Sequence, residues 1–250
     1  MTSITLGVTT TMFFDDHPVF RETSRVATSV ERLNLRHLAM IEANRDILEG
    51  ARVLDLASHD GRWAFAALQA GASHVTGVEF RRPLVRNARQ TFRGYGLPPQ
   101  SYRFIRGDMF RVLEDADLDV DVVQCFGFLY HTLRYPDLLK GIRRLDPEYL
   151  VVDTKVCLDD RPVVELKINR TGIQANAAAD ALSHRHLVVA GWPSVSALEA
   201  MLDVYDFYVE EQYDWPALIA AHPEVPAGTV RDYTSGHRVT LRCRNRTKSS

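Results

Sequence analysis

The sequence predicts a single α/β domain over residues 1–250, a mostly parallel sheet with an antiparallel C-terminal edge strand and helices on both faces. Three observations carry this expectation. Short β-rich runs alternate with helical patterns from Arg52 onward, as parallel strands joined by crossover helices require. Two β-rich runs near the C-terminus suit an antiparallel pair at a sheet edge. A chain of 250 residues, 46% of them apolar, suffices for one large core.

Taken in order, residues 1–30 mix Thr, aromatic residues and the run Asp15-Asp16-His17-Pro18 without a clear period, which reads as an N-terminal arm or lid. Apolar side chains recur at helical spacing over residues 30–48, and Gly50 follows where a helix stop belongs. Strands are expected at 52–56, 75–79, 102–105, 120–125 and 149–154, and helices at 63–70, 83–92 and 135–145. After Thr154 the alternation breaks. A helix over 194–202 and strands over 207–213 and 238–242 complete the sheet, with residues 216–236 as a loop and the polar tail 245–250 expected to be mobile.

Composition excludes several function classes. The net charge of -2 and the lack of a basic block leave no footprint for neutralising a nucleic-acid backbone, so no nucleic-acid partner is expected. Cys125, Cys157 and Cys243 are too few and too scattered for a disulfide framework or a zinc cluster and read as reduced core thiols. No charged leader with an apolar run opens the sequence, and no stretch is long enough to span a bilayer. A cytoplasmic protein without a membrane partner, monomer or homodimer, is expected.

The most informative stretch is Val53-Leu54-Asp55-Leu56-Ala57-Ser58-His59-Asp60-Gly61: a buried strand ending in a carboxylate, a tight turn of small residues, then a helix start. Small residues let a ligand approach the backbone, and the helix offers free N–H groups. The second strand, Val75-Thr76-Gly77-Val78-Glu79, ends in an acid about two dozen positions after Asp55, where a carboxylate can accept both hydroxyls of a ribose. A third acid, Asp108, lies just past the next strand in Gly107-Asp108-Met109, where its oxygen can receive an adenine amino proton.

This ordered set, with residues 122–131, resembles the class I S-adenosylmethionine-dependent methyltransferases over residues 52–153. The resemblance implies a Rossmann-like fold and S-adenosylmethionine as cofactor, with S-adenosylhomocysteine as product. It implies that Asp55 and the turn Ala57, Ser58 and Gly61 lie beside the methionine moiety. Glu79, followed by Phe80, would hold the ribose; Asp108 and the Met109 backbone would read the adenine; Phe126 and Gly127 would border the same crevice. One departure is visible. Family members commonly carry Gly where this chain has Ala57, and a methyl group there calls for ordinary backbone angles. A nicotinamide-binding Rossmann domain is the competing reading, but its Gly-x-Gly-x-x-Gly turn is absent.

The run Phe126-Gly127-Phe128-Leu129-Tyr130-His131 ends a buried strand in a Tyr-His pair, and loops at the carboxyl ends of parallel strands face the ligand crevice. A hydroxyl is a poor nucleophile until its proton is removed and histidine titrates near neutrality, so His131, with Tyr130 beside it, is the expected general base. The other eight histidines are weaker candidates. The acids Asp153, Asp159, Asp160 and Glu165 have the hard oxygens that suit magnesium but no compact ligand spacing; a solvated loop is expected and no metal is predicted. Aromatic residues at Phe13, Phe14, Phe20, Trp192, Tyr205, Tyr208, Tyr213 and Trp215 divide between core and an acceptor pocket. Residues 158–193 form an acceptor-side insertion, where rings beside Asn169, Arg170, Asn176 and His186 suit a sugar or polyketide ring.

The loop Leu129-Tyr130-His131 is also similar to that of methyltransferases acting on hydroxyl groups, including actinobacterial sugar O-methyltransferases of methylmannose polysaccharide assembly. The expected function is therefore O-methylation of a small-molecule hydroxyl, most specifically that of a mannoside. Two other readings stay open: methylation of a tRNA wobble-uridine derivative, and a noncatalytic cofactor-binding protein.

Overall fold

Seven strands form one sheet in the order β3-β2-β1-β4-β5-β9-β8, as seen in a computed structural model that describes residues 11–23, 29–173, 183–226 and 228–248. The strands are β1 (Arg52–Leu56), β2 (His74–Glu79), β3 (Tyr102–Arg106), β4 (Val122–Phe126), β5 (Tyr149–Lys155), β8 (Phe207–Gln212) and β9 (Arg238–Asn245). The pairings from β3 through β5 are all parallel, whereas β9 runs antiparallel to both β5 and β8. The expected late pair closes this edge. Chain order reverses between β1 and β4, which makes their carboxyl ends the switch point where open α/β sheets take ligands.

Side chains alternate across the strands, so the sheet has two apolar faces. Val53, Val75, Val122 and Val151 pack with α4 (Arg62–Gln69) and α5 (Arg82–Gly94), while Leu54, Val78, Val123 and Val152 pack with α7 (Tyr135–Arg144) and α8 (Val195–Val204). On the first face, Asp55 lies in register between Gly77 and Gln124. Two adjacent polar side chains, Asp55 and Gln124, therefore sit side by side at the centre of this face.

Several elements differ from expectation. The helix expected over 30–48 divides into α2 (Val30–Met40), a 3-10 turn at Glu42–Asn44 and α3 (Arg45–Leu48). The Asn44 amide donates to the Met40 carbonyl at 3.2 Å, the kind of side-chain competition that diverts a helix. The expected loop 216–236 holds α9 (Trp215–Ala221) and α10 (Arg231–Thr234); Asp214 caps the first and Pro216 sits in its opening turn, where a missing N–H costs nothing. The short α6 (Met109–Asp115) follows Asp108, which caps it. Residues 158–193 contain a hairpin, β6 (Val164–Arg170) with β7 (Leu187–Pro193), separate from the main sheet. The tail is tied down as far as Lys248, because the buried Asn245 amide donates to Asp146 Oδ1 and the Pro147 carbonyl.

The described part of the N-terminal arm contains α1 (Val19–Glu22) and contributes to the core. Phe14 and Phe20 are fully buried against Trp63 and Phe65, and Phe13 stacks on His37 at 4.1 Å. These rings line no acceptor pocket. Trp215 is likewise core, stacked on Tyr233 at 3.5 Å.

Candidate active site

The site is built outward from the tip of β1. Asp55 is fully buried, and its carboxylate accepts the Ala64 amide while Oδ2 has no hydrogen-bond partner among the described residues. Desolvation, with Asp60 and Glu79 adding repulsion, pushes its pKa up to about 8. The turn that follows is wound left-handed at three positions: Ala57 (φ 54°), His59 (φ 54°) and Gly61 (φ 81°). The ordinary backbone expected at Ala57 is therefore not adopted. The turn takes the conformation a glycine would favour, at about 1–2 kcal/mol for a non-glycine residue.

Hydrogen bonds hold the strained turn in place. Ser58 N–H donates to the Val78 carbonyl, Gly61 N–H to the Ser58 carbonyl, and His59 N–H to Glu79 Oε2. Asp60, fully buried, accepts two bonds from Arg62 and one from Thr23 of the arm; Arg62 and His59 hold its pKa far below the usual carboxylate range. Gly77 lets the turn sit close to β2, since a Cβ there would stand 2.8 Å from Ser58 Oγ and 2.6 Å from the Phe104 ring.

Glu79, at the end of β2, accepts the Arg81 N–H and Nε–H on Oε1. Phe80 beside it is 50% exposed, an open ring on the crevice edge. Asp108 is half-buried and spends one oxygen on the Phe110 amide as the N-cap of α6; Met109 is buried beneath it.

The facing wall comes from β4, β5 and the hairpin. Phe126 ends β4, and Gly127 (φ 79°) donates its N–H to the Asp153 carbonyl. A Cβ on Gly127 would lie 3.4 Å from Arg238 Nη2, which ties this turn to β9. Tyr130 and His131 form a 3-10 turn with ring centroids 4.2 Å apart. His131 Nδ1 is 3.3 Å from the Asn169 amide of β6, and burial together with Lys155, Arg238 and Arg81 brings its pKa down to about 4. It is a neutral imidazole at physiological pH. Trp192 of β7 stands beside Lys155.

Asp153 is not part of a solvated loop. It is completely buried, accepting from Arg36, Arg238, Tyr233 and Thr240, and the two guanidinium groups hold its pKa far below the carboxylate range. Arg32 and Asp232 extend the network through a bidentate pair at 2.7 Å. Asp159 pairs with Arg161 and Glu165 with Lys167, so these acids face cations of the chain itself. Among the described residues no group of three or more His, Cys, Asp or Glu is arranged to hold a metal. None of their helices is long and apolar enough to cross a membrane. Of the proposed acceptor-side groups, Asn169 reaches the His131 turn, and Asn176 falls outside the described residues.

Residues 53–146, which hold the switch point and all three strand-end acids, match the family described as a methyltransferase domain. The match is to a methyltransferase domain and covers a little more than a third of the chain. In fold the chain is similar to an S-adenosylmethionine-dependent methyltransferase from Mesorhizobium loti, with a TM-score of 0.58 and 18% identity over 84% of this chain and 100% of that one. It is also similar to the N-terminal domain of EvdMO1 crystallised with S-adenosylhomocysteine, with a TM-score of 0.55 and 20% identity over 82% of this chain and 79% of that one. In sequence it is 32% identical to ribosomal RNA large subunit methyltransferase I of Photobacterium profundum over 27% of this chain and 17% of that protein. The chain spans less than a third of the length of the curated relatives it matches.

The switch point carries polar atoms that a bound S-adenosylmethionine would complete. Asp55 Oδ2, Ser58 Oγ, His59 Nε2 and both amide atoms of Gln124 are buried without hydrogen-bond partners among the described residues. Unmet buried polar atoms are costly and belong where a ligand completes them. Sequence reasoning missed Gln124, whose only signal was a polar residue inside the apolar run Val122-Val123-Gln124-Cys125. It also missed Lys155 and Arg238, which come from segments outside the β1–β4 motif order, whereas Asn169 was expected on the acceptor side but without its contact to His131.

Proposed function

We propose that this chain transfers the methyl group of S-adenosylmethionine to a hydroxyl of a small molecule, most specifically a sugar such as a mannoside. The observation that carries the reading is the set of unmet buried donors and acceptors at the β1–β4 switch point, with a neutral imidazole on the loop that follows β4. Asp55, Ser58 and Gln124 would hold the methionine end, with Ala57 and Gly61 shaping the turn. Glu79 and Phe80 would hold the ribose, Asp108 and Met109 the adenine, and Phe126 and Gly127 the floor beneath the sulfonium. The cofactor supplies an electrophilic methyl group, and the protein's part is alignment and removal of one proton.

His131 would take that proton. Its low pKa makes it a weak base for a free alcohol, but the acceptor oxygen becomes strongly acidic as its bond to carbon forms, and a neutral imidazole then suffices. Asn169 would set the tautomer. With its amide oxygen toward Nδ1–H, the Nε2 lone pair faces the acceptor; with its NH2 group there, Nε2 carries the hydrogen instead. Tyr130, its ring tilted against that of His131, would border the acceptor. Replacing His131 with Ala is expected to lower kcat by about 10²–10⁴-fold with cofactor affinity kept. Unchanged turnover would remove His131 as the base, and methyl transfer to no acceptor by the wild type would leave the cofactor-binding reading.

A second reading, methylation of an RNA, is supported by a surface that net charge conceals. Residues 81–111 contain eight arginines and one acid, Asp108. Arg82, Arg86, Arg89 and Arg93 form one exposed stripe on α5, spaced i, i+4, i+7, i+11 over about 16 Å. Beside it, Arg103 and Arg106 of β3 border an open groove of about 850 Å³. This cluster of arginines supports the RNA reading against the expectation of no nucleic-acid partner, and the name of the Photobacterium relative points the same way. Filter binding to tRNA and ribosomal RNA fragments across a salt series separates the two readings. Tight, salt-sensitive binding lost in an Arg86→Glu, Arg89→Glu variant supports the RNA reading; its absence leaves the small acceptor.

A further inference from the structure

We infer that the acceptor carries an anionic group, a carboxylate or a phosphate, and that Lys155 binds it; the inference rests on the methyl-transfer reading and names the substrate class of that site. Lys155 is the last residue of β5 and is half-buried. Its ammonium lies 5.3 Å from the centroid of the Tyr130 ring and 4.9 Å from that of Trp192, so two aromatic rings flank it at the loop that bears His131. No acceptor oxygen and no carboxylate of the described residues pairs with Nζ. The cations that share its rings or act on His131 are each paired within the chain: Arg238 with Asp153, Lys167 with Glu165 and Arg81 with Glu79.

The electrostatics of the loop favour a negative charge from outside. Lys155 is the strongest of three cations that disfavour a proton on His131, ahead of Arg238 and Arg81. Binding S-adenosylmethionine adds a sulfonium to this positive region. Ring contacts offset only about 0.5–2 kcal/mol of a partly desolvated ammonium's cost, far less than a direct ion pair in the same place would supply. An acceptor with an oxyanion beside its reactive hydroxyl neutralises Lys155 and lays its apolar face on Tyr130 or Trp192. It also lifts the positive potential on His131 as the imidazole takes up the proton. A lysine suits either oxyanion, because its ammonium is a compact charge without the fixed fork of an arginine.

Two measurements test the inference. The first compares methyl transfer to matched acceptors: methyl glucoside against its glucuronoside, mannose against mannose 6-phosphate, and a phenol against the corresponding hydroxybenzoate. The charged member of a pair should win by about tenfold or more in kcat/KM, the size of one charge-assisted contact, with the carboxylate and phosphate pairs telling the two oxyanions apart. Lys155→Met should erase the preference, and Lys155→Arg should keep part of it. Equal or better use of the neutral members, or a preference that survives Lys155→Met, overturns the inference. The second works without turnover: the His131 imidazole is titrated by NMR with and without glucuronate or inorganic phosphate. The wild type should show an anion-dependent rise in the His131 pKa that Lys155→Met lacks. If no acceptor is methylated but this rise is present, the methyl-transfer reading fails and the anion site stands; if the rise is absent, the anion site fails.

Discussion

Two carboxylates near the carboxyl ends of parallel strands on either side of β4, both fully buried on the same face of the sheet, have opposite electrostatic fates. Asp153, on β5, meets two guanidinium groups, a phenol and a hydroxyl, and is held ionised. Asp55, on β1, meets one backbone amide, keeps one oxygen unpartnered, and has its pKa raised to about 8. Burial is the same; what differs is whether the chain supplies the countercharge. A buried acid whose partners are internal is architecture, and one whose partners are missing awaits a ligand. The β5 tip joins β9, α2 and α10 into a wall, while the β1 tip keeps an unmet oxygen that, on the proposed function, faces a cationic cofactor.

The contrast is broken most severely at Asp153. Asp153→Ala strands Arg238 and Arg36 and should cost about 3–5 kcal/mol in urea unfolding, against about 1 kcal/mol or less for Asp55→Asn, whose amide resembles the neutral acid present at pH 7. Equal costs would erase the distinction between the two tips. Next in size, Asp55→Asn should weaken S-adenosylmethionine binding by about 10–100-fold, the worth of one hydrogen bond to a charged group, as read by calorimetry.

The pH dependence sharpens the same point. Folding raises the Asp55 pKa from 3.8 to about 8, so the folded state holds the extra proton between those values. The stability this contributes is complete at low pH and is lost as pH rises toward 8. His37 and His131, both lowered from 6.5 to about 4, act in the opposite sense: they make stability rise with pH until about 6.5. Asp55 therefore dominates between pH 6.5 and 8, where stability of the ligand-free protein should fall by at most about 1.4 kcal/mol per pH unit, with a flatter profile in Asp55→Asn. The smallest effect lies in the turn itself. Ala57→Gly should gain about 0.5–1 kcal/mol in urea unfolding, since relief of left-handed strain exceeds the added freedom of the unfolded chain. A loss of stability there would show that the turn is not strained.

The same division explains what the sequence could and could not reveal. The β1–β4 half was legible because its signals are local: a strand, a carboxylate at its tip, a small-residue turn and a helix, with a second acid at a fixed separation. The β5 half was not, because Asp153 draws Arg36 from 117 positions away and Arg238 from 85. A row of acids from Asp153 to Glu165 looks solvated when the partners lie so far along the chain. The hairpin was missed for a different reason. Residues 164–169 alternate apolar and polar side chains as a strand should, but the partner strand, Leu187-Val188-Val189-Ala190-Gly191-Trp192, is an almost unbroken apolar run with no period of its own. At Ala57 the reasoning from residue type was sound, but the hydrogen bonds of Ser58, His59 and Gly61 overrule the preference of one alanine.

The central claim is that the unmet polar atoms around Asp55 receive S-adenosylmethionine. Titration calorimetry near pH 7, in buffers of different ionisation enthalpy, tests it most directly. The account predicts that S-adenosylmethionine binds, that NAD does not, and that binding releases a proton from Asp55 in the wild type but not in Asp55→Asn. Binding of NAD in its place, or S-adenosylmethionine binding that Asp55→Asn leaves unchanged in both affinity and proton count, would contradict it.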